Sequence, residues 1–211
     1  MNIDRLYIDG YDVTNLGFWL TWRNLSAPAV RSSYETIPAA HGSVDTTEAN
    51  GAVYFEMREL ECDCKYMGEN WHADLTALME RCHGKKCQIA FANDPDYYWT
   101  GRVSVSSYDS KDRSLSMNAT VFPFKFAAAQ TVVEESITDS GTVTLENHGR
   151  MTVVPEVTTD AAIQLAFGSS SASIQAGTFT VAGLEIGYGE SLDVTITGTA
   201  NVSFTYREAT L

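Results

Sequence analysis

Three clusters of side chains in this sequence have the types that chemistry uses. His41, Gly42, Ser43 and Asp45 bring an imidazole, a hydroxyl and a carboxylate into one short stretch. Nucleophile, base and orienting acid are defined by three-dimensional roles, however, and neighbours in sequence do not supply that geometry. Cys62, Cys64, Cys82 and Cys87, with His83, offer the thiolates and imidazole that bind zinc. Cys62 and Cys64 fall on one face of a strand, yet a single intervening residue misses the two-to-four-residue spacing of a zinc knuckle. Free thiols buried as small hydrophobes are the expectation. Asp94 and Asp96 present oxygens of the kind calcium takes, but an Asp-Pro-Asp run reads as a turn. No carboxylate pair sits in a hydrolase motif. The reading is therefore of a protein that is not an enzyme, with no catalytic residue, no metal site and no cofactor.

The elements carrying these residues follow from periodicity. Trp71, Leu75, Leu78, Met79 and Cys82 share an arc of roughly 100°, the stripe of one amphipathic helix packed on a sheet. Asn70 stands at its N-cap and Gly84 at its stop. Nearly everything else alternates like strands. Ile3, Leu6 and Ile8 lead to Asp9-Gly10, a hairpin signal, and short strands continue to Leu25 with a break near Gly17. A strand around Ser32 to Ile37 precedes a long polar loop reaching Asn50, expected to be ordered by a neighbouring subunit. From Ala52 to Tyr66 the apolar positions switch from odd (Phe55, Met57) to even (Leu60, Cys62, Cys64, Tyr66), which predicts a bulge or sharp bend at Arg58 or Glu59. After Gly84 a strand is expected to end at the turn Asn93-Asp94-Pro95-Asp96. A hairpin follows, with Tyr97, Trp99, Val103 and Val105 on one face and Leu115, Met117, Ala119 and Val121 on another.

Composition changes near residue 127. Before it lie 12 Lys and Arg against 17 Asp and Glu, and from it onward 2 against 10; every Trp and Cys lies before it. This divides the chain into residues 1–128 and 129–211. The second part is a run of short alternating strands: TVTLE, MTVVPEVTT, AIQLAF, SIQAGTFTV, LEIGY, SLDVTIT and NVSFTY. The fold class is mainly β: an N-terminal barrel-like β domain with one α-helix, then a C-terminal β-sandwich. A net charge of −13 excludes a protein that grips nucleic acid through its phosphates. No apolar run is long enough to span a bilayer, so no membrane is expected, and the N-terminus carries no secretory pattern. Folding in a cytoplasm is expected.

One pattern runs through the first part: Gly42, Asp45 and Thr47 in the loop, Tyr54 and Arg58 ahead of the bent strand, and Leu78-Met79 ending the helix. The Gly84-Lys85 step and the hairpin with Asp94-Pro95, Tyr97-Tyr98 and Gly101-Arg102 complete it. In this it resembles the distal tail proteins of long-tailed bacteriophages with non-contractile tails. The resemblance implies a structural virion protein of the tail, assembled in the bacterial host cytoplasm, that forms a homo-oligomeric ring of six copies. Its implied partners are the tail tube protein on one side, the tail-tip or adsorption protein on the other, and the tape-measure protein. DNA would enter only as cargo through the channel. A closed ring needs a head-to-tail interface. Its expected residues are His41, Gly42, Asp45, Thr47, Glu48, Asn50, Tyr54 and Arg58, while Trp71, Leu75, Leu78, Met79 and Cys82 serve core packing. The alternative is a carbohydrate-binding adhesin module of a tail tip, although the second part has no Trp to stack beneath a sugar ring.

Overall fold

The computed structural model describes residues 4–39 and 41–211; Ile3 of the expected first strand and Ala40 of the expected loop lie outside them. The chain divides into two compact units, Met1–Lys125 and Phe126–Leu211.

The first unit contains β1 (Leu6–Ile8), β2 (Tyr11–Asp12), β3 (Phe18–Leu25), β4 (Tyr34–Thr36), β5 (Ser43–Asp45) and β6 (Arg58–Tyr66). Helix α1 (Trp71–Cys82) follows, then β7 (Lys86–Phe91), β8 (Asp94–Asp109) and β9 (Ser114–Val121). Seven strands pair in the order β2-β1-β7-β8-β9-β6-β3. An isolated antiparallel bridge between Asp4 and Leu20 joins β3 to the residues leading into β1, so the path returns on itself as a barrel does. Asp9 and Gly10 both have positive φ between β1 and β2, the requirement of a two-residue hairpin turn. Val13–Leu16 forms a 3-10 turn that periodicity did not reveal, with the Asp12 carboxylate accepting from the Thr14 amide at 2.9 Å. Gly17 ends it at φ 79, where a Cβ would come within 2.9 Å of the Gly68 backbone and the Tyr66 ring.

Alternation in β6 and β9 is as expected: Leu60, Cys62, Cys64 and Tyr66 point inward, as do Leu115, Met117, Ala119 and Val121. The bulge predicted at Arg58 or Glu59 is absent, because the strand begins at Arg58 and the preceding residues belong to a separate excursion. The change of parity marks the start of the sheet, not a kink within it. The bulge in this region instead lies in the partner strand, between Leu20 and Trp22. The turn expected at Asn93 to Asp96 also sits earlier, at Ala92-Asn93, and Asp94-Pro95-Asp96 opens β8. Proline is accommodated there because the first residues of a strand need not donate to the ladder.

Helix α1 buries Trp71, Leu75, Leu78 and Cys82, with Met79 half-buried against the core. Trp71 meets Phe18 and Tyr66 at centroid distances of 5.9 and 5.3 Å, and its indole donates to the Ser110 hydroxyl at 3.2 Å. Asn70 occupies the N-cap, but its side chain makes no capping bond; its carbonyl accepts from the Asp74 amide instead. Gly84 at φ 75 ends the helix as expected. Among the described residues no helix is long and apolar enough to cross a membrane.

After β10 (Lys125–Ala127), the second unit holds β11 (Thr131–Ile137), β12 (Ser140–Glu146), β13 (Glu156–Thr159), β14 (Ile163–Phe167) and β15 (Ser170–Ile174). It continues with β16 (Gly177–Thr180), β17 (Ser191–Thr197), β18 (Ala200–Tyr206) and β19 (Ala209–Thr210). Two four-stranded antiparallel sheets, β11-β18-β13-β16 and β12-β17-β14-β15, enclose Val157, Leu165, Val194, Ile196, Val202 and Phe204. This is the expected sandwich. The LEIGY segment is not a strand: Leu184 and Ile186 are core residues on irregular chain, tied by a single bridge from Ile186 to Val153. Strand β11 leaves no clear signal in the sequence, since Glu134 and Glu135 interrupt its alternation.

Candidate interaction surface

Between β3 and β6 the chain leaves the barrel for some thirty residues and returns. The base of this excursion is fixed by Arg58. Its Nε donates to the Ser26 carbonyl at 2.7 Å, an Nη to the Pro123 carbonyl at 3.4 Å, and the guanidinium lies 4.7 Å from the centroid of the Trp99 ring. Ser26 answers with two bonds to β6, its amide donating to the Glu59 carbonyl and its hydroxyl accepting from the Glu59 amide, both at 2.9 Å. Beyond the base the two sides of the excursion pair as an irregular ribbon. Val30 bridges Phe55, the Arg31 amide donates to the Tyr54 carbonyl, and the Glu56 amide donates to the Ala29 carbonyl. Arg31 and Glu56 form an ion pair at 2.8 Å. Farther out, β4 and β5 pair antiparallel, with Thr36 opposite Ser43. The strand expected around Ser32 to Ile37 is β4, and the stretch expected to be loop after it supplies β5, so the segment is a hairpin arm with its own ladder.

The arm has no core of its own. Every residue of β4 and β5 is exposed, including Tyr34 and Val44, and Ile37, Val53 and Met57 join them at the surface. Tyr34 is 61% exposed and Tyr54 52%. Scattered apolar side chains on a surface are ordinary; here Val44 stands opposite Glu35, so it and Tyr34 face opposite sides of the ribbon, and the arm offers apolar side chains on both.

Of the residues expected at an interface, His41 and Gly42 lie at the β4–β5 turn, and Asp45, Glu48, Asn50 and Tyr54 are exposed along the arm. Thr47 is half-buried: its hydroxyl accepts from the Ser33 amide, and its amide donates to the Asp45 carboxylate at 2.9 Å. Hydrogen bonds from Thr47 hold the Asp45 carboxyl below the usual carboxylate range. Arg58 differs from the rest, being only 9% exposed and engaged inside the domain as the anchor of the arm. The apolar residues Tyr34, Ile37 and Val44 went unnoticed in the sequence, although three large apolar side chains in a polar, proline-flanked stretch were a legible signal.

The other candidate chemistries find different surroundings. All four cysteines are free and buried. Burial pushes the Cys62 thiol up to about 12 and the Cys82 thiol to about 11, and raises Cys64 and Cys87 as well. A thiol held protonated is a poor nucleophile at neutral pH. The Asp94 carboxylate takes the Lys125 ammonium at 2.6 Å, and that ammonium also lies 4.1 Å from the Tyr97 ring centroid. Among the described residues no three His, Cys, Asp or Glu side chains are grouped to hold a metal ion.

No protein-family model and no curated protein sequence matches this chain. A solved structure does: the SPP1 Dit (gp 19.1) protein, described as a paradigm of the hub adsorption apparatus in phages infecting Gram-positive bacteria. The two align over 98% of this chain and 99% of that one, with a TM-score of 0.67 at 16% sequence identity. The likeness extends over both units and establishes a shared fold. A de novo designed double-stranded β-helix aligns over 39% of this chain and 99% of its own, at 12% identity, but its TM-score of 0.25 carries no argument.

Proposed function

We propose that this chain is a structural hub protein of a bacteriophage tail, closing with further copies into a ring at the distal end of the tail tube. The observation that carries the reading is the fold likeness to a phage hub protein over essentially the full length of both chains. That likeness agrees with the motif resemblance in the first part of the sequence, which rests on different information. The exposed hairpin arm supplies what a ring requires: a self-ordered projection whose apolar side chains differ from the barrel wall they would meet on the next copy. A head-to-tail contact of this kind repeats around a closed ring.

In this reading the arm from Ser26 to Met57 is the intersubunit contact, with Tyr34, Ile37 and Tyr54 as its apolar anchors, and His41, Gly42, Asp45, Thr47, Glu48 and Asn50 as its polar rim. The neighbours along the tail are the tube protein on one side and the adsorption proteins on the other, with the tape-measure protein meeting the same ring. DNA passes through the centre without specific contact, helped by the acidity of the chain, since carboxylates repel the phosphate backbone.

Light scattering and native mass measurement test the ring: a six-copy assembly is expected. Replacing Tyr34 and Ile37 together by Asp removes buried anchors, each commonly worth about 2 kcal/mol or more at an interface. The variant should fall to monomers yet keep the parent near-UV dichroism, because neither side chain enters the core. A monodisperse monomer at high concentration overturns the ring, and a phage that builds normal, adsorbing tails without this protein overturns the function.

A further inference from the structure

The two sheets of the C-terminal sandwich end in open edges, and the two ends are unlike. At one end, β11 carries Glu134 and Glu135, and β12 is flanked by Asp139 and closed by Glu146. At the other end lie β15 and β16, joined by two residues, each paired on one side only. From Ala161 to Leu184 the chain has no charged residue and no proline, although the unit around it holds ten carboxylates and two basic residues. Natural sheets guard their edges with charge, proline or bulges, because unpaired amides and carbonyls recruit further strands. This end lacks those chemical guards.

The core is also open there. Phe179 lies opposite the fully buried Val157 and so has core-facing parity, yet the residue is 36% exposed. It rests over Gly177, where a Cβ would come within 3.3 Å of the ring, and the core-facing positions of neighbouring β15 are Ser170, Ala172 and Ile174. Small residues on the facing edge leave the ring uncovered. A strand laid beside β16 would bond its open amides and carbonyls and could place an apolar side chain on Phe179.

We infer that β16, with β15 beside it, is a strand-addition site for an extended segment of another protein, neutral in the middle and basic at its ends. Charge decides the occupant. A second copy would bring another unit with ten carboxylates against the first, and that repulsion opposes self-pairing. Glu156 stands opposite Thr180, and Asp160 follows Thr159, which stands opposite Gly177, so a carboxylate flanks each end of β16 one strand inward. Hydrogen bonds from Asn201 hold the Asp160 carboxyl below the usual range, keeping it ionised. An added strand would lie about 10 Å from β13, about one Debye length at 0.1 M salt, so lysines at its ends would feel both charges only partly screened. Strand addition takes affinity from the main chain and specificity from alternate side chains, here the one over Phe179. The site belongs to the C-terminal unit alone and does not depend on the tail-hub reading.

Hydrogen exchange on the full chain, read at Gly177–Thr180, tests this with a synthetic peptide that alternates valine and threonine and carries a lysine at each end. The lysine-ended peptide should slow exchange there about tenfold or more, and the same peptide with glutamate ends should not. Phe179→Thr keeps a strand-forming residue but removes the ring, and should abolish the protection while slow exchange in β17 and β18 shows that the sandwich stays folded. No slowing by either peptide overturns the inference, as does equal slowing by both. Protection that grows with protein concentration alone, without peptide, would mean that the occupant is a second copy and would also overturn it.

Discussion

Arg58→Met tests the anchor of the arm, because methionine keeps much of the side-chain length while losing every donor and the charge. The bond from Nε to Ser26 at 2.7 Å is short and charge-assisted, worth about 1.5–3 kcal/mol; the 3.4 Å bond to Pro123 is long and adds little. The guanidinium over Trp99 adds about 1 kcal/mol, and the desolvation that lowers the Arg58 pKa offsets part of the total. Methionine retains contact with the Trp99 ring. The net loss should be about 2–3 kcal/mol, concentrated where the arm joins the barrel. At about 1.4 kcal/mol per factor of ten, opening of the base becomes roughly 30- to 150-fold more frequent. Hydrogen exchange at the amides of Ser26, Arg31 and Glu56 should accelerate by that factor, while the amides of β9 change far less. Equal acceleration at both sites would mean that Arg58 supports the barrel as a whole. No acceleration at the arm would refute the anchor.

Two further outcomes follow from the core of the first unit. Leu78 is fully buried, so Leu78→Ala should cost about 2–5 kcal/mol and lower the melting temperature by roughly 10 °C, read by calorimetry or near-UV dichroism. Burial raises the cysteine thiols, so the native state holds them protonated while the unfolded chain ionises from about pH 8.5 upward. Their contribution is complete below that pH and is lost as the pH climbs toward the native values of about 12 for Cys62 and about 11 for Cys82. Denaturant titrations should therefore show roughly 2 kcal/mol less stability per buried thiol at about pH 10. In Cys62→Ala the loss between neutral and alkaline pH should shrink by about that amount.

What could be read from the sequence was whatever local periodicity encodes. The stripe on α1 and the alternation of β6, β9, β17 and β18 are legible because each buries one face against a single core, and burial imposes the period. Strand β11 was not, because an edge strand can carry Glu135 at a core-facing position and still reach water. Strand β4 was legible within Ser32 to Ile37, but its partner β5 was not, because a three-residue strand with no buried face leaves no alternation to detect. Asp94-Pro95-Asp96 misled for a related reason: its residues are typical of turns, but the first positions of a strand tolerate them equally well. Strand order, and the Asp4–Leu20 bridge that brings the barrel path back on itself, depend on contacts between distant segments that no window of sequence contains.

Arg58 shows how a mismatch between two levels of reading can be more informative than agreement. Its even number puts it in phase with Leu60, Cys62, Cys64 and Tyr66, so alternation alone places a cation inside a barrel. A buried guanidinium is tolerated only where carbonyls or an aromatic face receive it. Such receivers lie where irregular chain meets the sheet, since strand carbonyls are already committed to the ladder. An inward-phased arginine at the first position of a strand therefore signals that a segment leaves the barrel there and that its backbone is being held. The arm so held displays Tyr34, Ile37, Val44 and Tyr54 to water. If the purpose were only to connect β3 to β6, a short turn would avoid both the exposed apolar surface and the buried charge. That the chain carries both supports the proposal that a neighbouring copy covers the arm.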